Sequence, residues 1–167
     1  GSGTLGATTI AAGAVLAPGN SPGLLTHASL TLVGGSIVEW QVYDATQAGT
    51  SKPASLAVAG TDYDSLHVTG TLDVSGASAA NPITIRIFSL AHPTDVAAGN
   101  AVGFDTMKLN HFAFATVGNL TQGSSPLADI FSYDLANFTD STGGTSDPTR
   151  WAMSYEGGVL WLTASPQ

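Results

Sequence analysis

The sequence predicts an all-β protein: a short parallel β-solenoid, β-helix-like, that passes into an irregular β cap with a C-terminal hairpin. Three observations predict it. Apolar and polar residues alternate over short runs such as Ser29-Leu-Thr-Leu-Val33 and Ile83-Thr-Ile-Arg-Ile-Phe88, the period of a strand with one buried face. Gly, Pro or Asn interrupts nearly every apolar run within about ten residues, which leaves no room for a long helix. The strand-and-turn units also follow one another at short spacing, as in stacked coils. Residues 1–90 are expected to form the solenoid-like coils and residues 91–167 the cap and hairpin, as one continuous structural unit.

Taken in order, Thr8-Thr-Ile10, Ala14-Val-Leu16, Leu24-Leu-Thr26, Leu30-Thr-Leu32 and Ile37-Val-Glu-Trp-Gln-Val-Tyr43 read as strands with turns between them. In the last, alternation puts Val38, Trp40 and Val42 on the core face. Ala45–Pro53 reads as a loop, Leu56-Ala-Val58 as a short strand, and Thr61-Asp-Tyr-Asp64 as a turn. Leu66, Val68, Leu72 and Val74 continue the inward face, with Gly70 and Gly76 as corners. Ile83, Ile85 and Ile87 face inward from the strongest period-2 segment. From Ala91 to Ser146 the strands are expected to be irregular, and Phe104, Phe112, Phe114, Phe131, Tyr133 and Phe138 gather there, as suits the closed end of a stack. Arg150–Tyr155 and Val159–Thr163 form a hairpin on the turn Gly157-Gly158.

Composition narrows the function classes. The 167 residues carry 12 acidic side chains against Lys52, Arg86, Lys108 and Arg150, a net charge of −8. A field of that sign repels nucleic acid and anionic lipid, so neither is expected as a partner. Charged residues are only 10% of the chain, and Ser and Thr supply about a fifth, so the polar surface is hydroxyl and amide rather than ionic. There is no cysteine, hence no thiol chemistry, and no apolar run reaches the roughly 18 residues of a membrane span. Gly1-Ser-Gly-Thr4 has no signal-peptide pattern and reads as the start of a piece of a longer precursor.

Leu16-Ala-Pro-Gly-Asn-Ser-Pro-Gly23 together with Thr61-Asp-Tyr-Asp-Ser-Leu66 resembles the closing part of autotransporter-associated β-strand repeat proteins. The terminal Trp, Gly and Leu hairpin is similar to the one that precedes a sorting signal in secreted bacterial surface proteins of the PEP-CTERM type. The resemblance covers 3–43 and 60–76, and 148–163 more loosely. It implies a secreted, extracellular or cell-surface structural protein, in the manner of a biofilm matrix component.

Candidate chemistry is sparse. Gly19-Asn-Ser-Pro-Gly23 matches the G-x-S-x-G nucleophile elbow, but the residue after Ser21 is Pro22, which has no N–H for an oxyanion hole, and no helix follows. It reads as a turn. Asp62 and Asp64 flank Tyr63 as candidates for Ca²⁺, against a turn in which the carboxylates accept local N–H groups. His27, His67, His92 and His111 never fall at metal-ligand spacing. Trp40, Trp151 and Trp161 offer either glycan contact or core packing; for Trp151 and Trp161 a cross-strand aromatic pair is the simpler account. Asn119-Leu-Thr121 and Asn137-Phe-Thr139 are N-glycosylation sequons.

These features favour a non-enzymatic extracellular structural protein, with no cofactor beyond a Ca²⁺ candidate, that associates with copies of itself into a surface layer, matrix or filament. The alternative is a carbohydrate-binding or adhesin module with extracellular polysaccharide as partner. The uncharged segment Gly3–Ala11 is expected to carry the self-association, through Thr4, Leu5, Thr8 and Ile10, in a head-to-tail manner, because nothing on it repels an incoming strand.

Overall fold

The computed structural model describes residues 3–18, 22–46 and 59–167. Ten strands form within them: β1 (Gly3–Ile10), β2 (Val15–Leu16), β3 (Leu24–Leu32), β4 (Ile37–Val42), β5 (Ser65–Asp73), β6 (Ile83–Ser89), β7 (Asn110–Thr121), β8 (Phe131–Asn137), β9 (Trp151–Glu156) and β10 (Val159–Ala164). The only helical turns among the described residues are the 3₁₀ turns Leu127–Asp129 and Pro148–Arg150. The protein is all-β, in two sheets.

The strand order follows one rule. Odd strands, joined by β10, build a six-stranded sheet in the order β1-β3-β5-β7-β10-β9, and the remaining even strands a four-stranded sheet in the order β2-β4-β6-β8. Every pairing among β1 to β8 is parallel. Each round of the chain therefore lays one strand on each sheet beside the strand of the previous round. Only β10 runs antiparallel, between β7 and β9.

Side-chain alternation explains the register. Val38, Trp40 and Val42 of β4 pair with Ile85, Ile87 and Ser89 of β6, and all six are fully buried. In the other sheet, Leu30, Leu72 and Val68 are equally buried. Inward residues of both sheets belong to one hydrophobic cluster. The expected inward faces are thus the observed ones, Leu66, Val74, Ile83 and Ile87 included.

The corners are stacked by hydrogen bonds between successive rounds. Gly13 N donates to Gly35 O (2.9 Å), Gly35 N to Pro82 O (2.9 Å), and Ile83 N to Ile130 O (2.9 Å). This contact leaves no space for a side chain at Gly34, where a Cβ would lie 2.5 Å from Asn81 O and 2.8 Å from Gly76 O.

Three expectations need correction. Leu24–Thr26 and Leu30–Leu32 are one strand, interrupted by a register shift between His27 and Leu30 rather than by a turn. Gly70 is not a corner: it lies inside β5 at the matching shift between Val68 and Thr71, where a Cβ would meet Ala28 O at 2.5 Å. Gly118 of β7 is confined the same way by Thr69 O, so the bulges of neighbouring strands lie side by side, and each admits the next only because small residues occupy them. The stretch 91–146 is less irregular than expected, since it holds β8 and the 12-residue β7, the longest of the ten strands. The strand expected at Leu56–Val58, Ser21 of the elbow motif and Lys52 lie outside the described residues.

Gly157 and Gly158 do make the hairpin turn between β9 and β10. Both have positive φ, 59° and 81°, the backbone of a two-residue type I′ turn that glycine adopts without steric cost.

Candidate association surface

The two ends of the strand stack differ. At one end, β1 and β2 are the outermost strands of their sheets, and each has a neighbour on one side only among the described residues. At the other, β9 ends the larger sheet and β8 the smaller, but the 3₁₀ turn Pro148–Arg150 and β9 pack against β8. Beneath that end lies an aromatic cluster: Phe104 stacks on Trp151 (centroids 5.7 Å apart, 11° between planes), Phe138 meets Phe104 edge-on at 4.8 Å, and Phe112 joins them to Trp40 at 5.0 Å.

At the β1–β2 end the row that continues inward elsewhere is left partly uncovered on β1. Leu5 pairs with His27, His27 with Val68, and Val68 with Val117. The last three are buried, whereas Leu5 is 43% exposed. Val15 of β2 and Leu24 of β3 are also exposed. A groove on the larger sheet is lined by Gly3, Thr4, Leu24 and Thr26. All four residues expected to carry self-association lie on this edge strand: Thr4, Leu5 and Thr8 have part or all of the side chain accessible, and Ile10, at its end, is buried.

Charge sharpens the difference. The first charged side chain in the sequence is Glu39, so β1, β2 and β3 carry none. From Asp129 to Glu156 there are five acids, Asp129, Asp134, Asp140, Asp147 and Glu156, against Arg150 alone. An edge strand without charged side chains, proline or cover is the kind that accepts another strand.

His27 lies under this edge. Its Nδ1 shares a hydrogen bond with Thr8 Oγ1 at 3.1 Å, a hydroxyl that also lies 3.2 Å from Gly6 O. The second ring nitrogen is buried with no partner. Burial holds the imidazole pKa below its ordinary value, because a cation there would be desolvated and unpaired. The other histidines bond hydroxyls: His67 to Thr116 (2.7 Å), His92 to Thr94 (3.0 Å) and His111 to Thr163 (3.0 Å). Among the described residues no group of three His, Cys, Asp or Glu could hold a metal ion.

Asp64 is a clamp. Its carboxylate is buried and accepts from Gly23 N (2.7 Å) and Gln41 N (2.9 Å), while its carbonyl accepts from Trp40 Nε1 (2.6 Å). Each carboxylate oxygen accepts from one backbone N–H, so the group ties β4 to the chain before β3. Burial pushes the Asp64 pKa up to about 7, against the downward pull of the two donors. Asp62 is raised in the same direction by desolvation and by Asp44.

The tryptophans belong to the core rather than to a sugar-stacking surface. Trp40 is fully buried, Trp151 is 3% exposed and Trp161 6%, so none presents a ring face to a glycan. Trp151 and Trp161 are also not cross-strand partners: Trp151 pairs with Ala164, and Trp161 with Ser154. Trp151 stacks on Phe104 instead. The sequon residue Asn119 is exposed on β7.

One surface feature becomes legible only once the register is known. Glu39, Arg86 and Asp134 occupy one row across β4, β6 and β8, with Arg86 bridging Glu39 (3.0 Å) and Asp134 (3.3 Å). Lone charges in three separate strands thereby become one ion network on the outer face.

No family model, curated protein or solved structure matches the chain. No helix among the described residues is long and apolar enough to cross a membrane.

Proposed function

We propose that this chain is a non-enzymatic structural unit, a short β-solenoid-like stack of the kind found in secreted surface proteins, that associates with copies of itself through its open sheet edges. One observation carries it above all: among the described residues both sheets end, on the same side of the molecule, in strands that lack an outer neighbour and lack charged side chains. Unpaired strand edges exposed together with apolar side chains are costly in water and are relieved by strand addition. The alternation of parallel strands between two sheets, from β1 and β2 through to β7 and β8, supports the solenoid reading. A hydroxyl-rich, cysteine-free and charge-poor composition supports an extracellular layer, matrix or filament.

The test is the assembly state of the purified 167-residue chain. Light scattering and negative-stain microscopy over a range of protein concentrations should show concentration-dependent association with an unchanged β spectrum. A chain that stays monomeric at all concentrations and salt levels removes the proposal.

A further inference from the structure

Building on the self-association reading above, we infer that the first contact this chain makes is head-to-head: two copies join by their uncharged ends about a twofold axis, β1 pairing antiparallel with β1 and β2 with β2 of the second copy.

The geometry of the ends carries it. A head-to-tail contact would have to match the β1–β2 end with the β9–β8 end of another copy. There, the larger sheet does offer β9, but the smaller sheet offers β8 with the turn Pro148–Arg150 and β9 packed against it, so β2 would be left unpaired. Among the described residues, a twofold axis normal to the sheets meets no such obstacle. It carries β1 onto β1 and β2 onto β2 in one operation and reverses strand direction in both, so each sheet continues across the junction. Antiparallel pairing is also slightly the more stable mode per residue, and an isologous patch must be self-complementary. A strand without charged side chains meets the electrostatic part of that condition, whereas a charged one would face its own charge.

Electrostatics points the same way. Two chains of net charge −8 repel. Joining them at the ends that hold no charged side chain before Glu39 keeps the acid-rich segment 129–156 of each copy at the far side of the pair. The apolar side chains left open at this end, Leu5 and Val15, would gain cover from their counterparts. Growth into a filament or layer would then need a second, different contact between the capped ends.

The chain contains no cysteine, so a single introduced thiol reports symmetry directly. Ala7 is exposed on β1, close to the middle of the strand. Ala7→Cys, treated with a short bifunctional maleimide, should give covalent dimers and nothing larger, and the intact chain should run at twice its 16.8 kDa mass by light scattering. Ala7→Lys should return monomers with the same circular dichroism, and Ala152→Lys on β9 should leave the dimer intact. Higher polymers combined with failure of Ala7→Cys to cross-link would overturn the head-to-head contact while leaving self-association standing. A monomeric intact chain would overturn both, whether or not Ala7→Lys folds.

Discussion

At the scale of single residues, the fold depends on positions where a backbone needs room and on buried groups whose charge state matters. Gly34 shows the first. Adding one methyl would force the Asn81 and Gly76 carbonyls to move from 2.5 and 2.8 Å, at the corner where successive rounds are stitched together, so Gly34→Ala should cost about 1–3 kcal/mol in urea unfolding. Asp64 and His27 show the second, with opposite signs. The folded-state pKa of Asp64, about 7, lies above its ordinary 3.8, so its contribution to stability is whole below about pH 4 and is lost as pH rises toward 7. Stability of the parent relative to Asp64→Asn should therefore fall across that window, and a flat or rising difference would contradict the assignment. His27 has a folded pKa below 6.5; its contribution is present above that pH and is lost as pH falls, which gives the parent an acid limb that His27→Leu should weaken.

At the scale of elements, β4 and β6 hold the core together and are the places to weaken it. Ile85 is fully buried, and its partners in register are Val38 of β4 and Tyr133 of β8. Ile85→Ala should cost about 2–5 kcal/mol, the transfer term plus the cavity. The outer face of the same strand behaves differently. Arg86 is partly exposed between Glu39 and Asp134, so Arg86→Ala should cost no more than about 1 kcal/mol, although it leaves two carboxylates facing one gap. A thermal-unfolding comparison of the two variants separates core burial from surface pairing within one strand.

At the scale of the whole molecule, charge distribution sets how copies meet. Each chain carries −8, and every charged side chain lies beyond residue 38. Raising ionic strength from about 0.01 to 0.15 M shortens the screening length from about 30 to 8 Å, so association through an uncharged end should tighten with salt. Sedimentation equilibrium at the two salt levels measures this, and weakening with salt would mean that charge pairs hold the contact instead.

Much of the fold was legible in the order of residues alone, because a strand with one buried face writes its period into the sequence. Val38, Trp40 and Val42, and Ile83, Ile85 and Ile87, are inward for the reason their alternation implies, and the Gly157-Gly158 turn follows from the freedom of glycine at positive φ. The absence of charge from residues 3–11 was also readable, since neither burial nor pairing is needed to see it. What the sequence could not reveal depends on contacts between distant segments. Gly70 looks like a corner until Ala28 is placed against it; Asp64 looks like a turn acid accepting local N–H groups until Gly23 and Gln41, from distant segments, point theirs at it; Trp151 and Trp161 look like partners until register sets them against Ala164 and Ser154. Local pattern determined which residues face inward, because that is a property of one strand and water. Tertiary structure decided which strands are edges and which end is covered, because a free hydrogen-bonding edge is defined only by the neighbour that is or is not beside it.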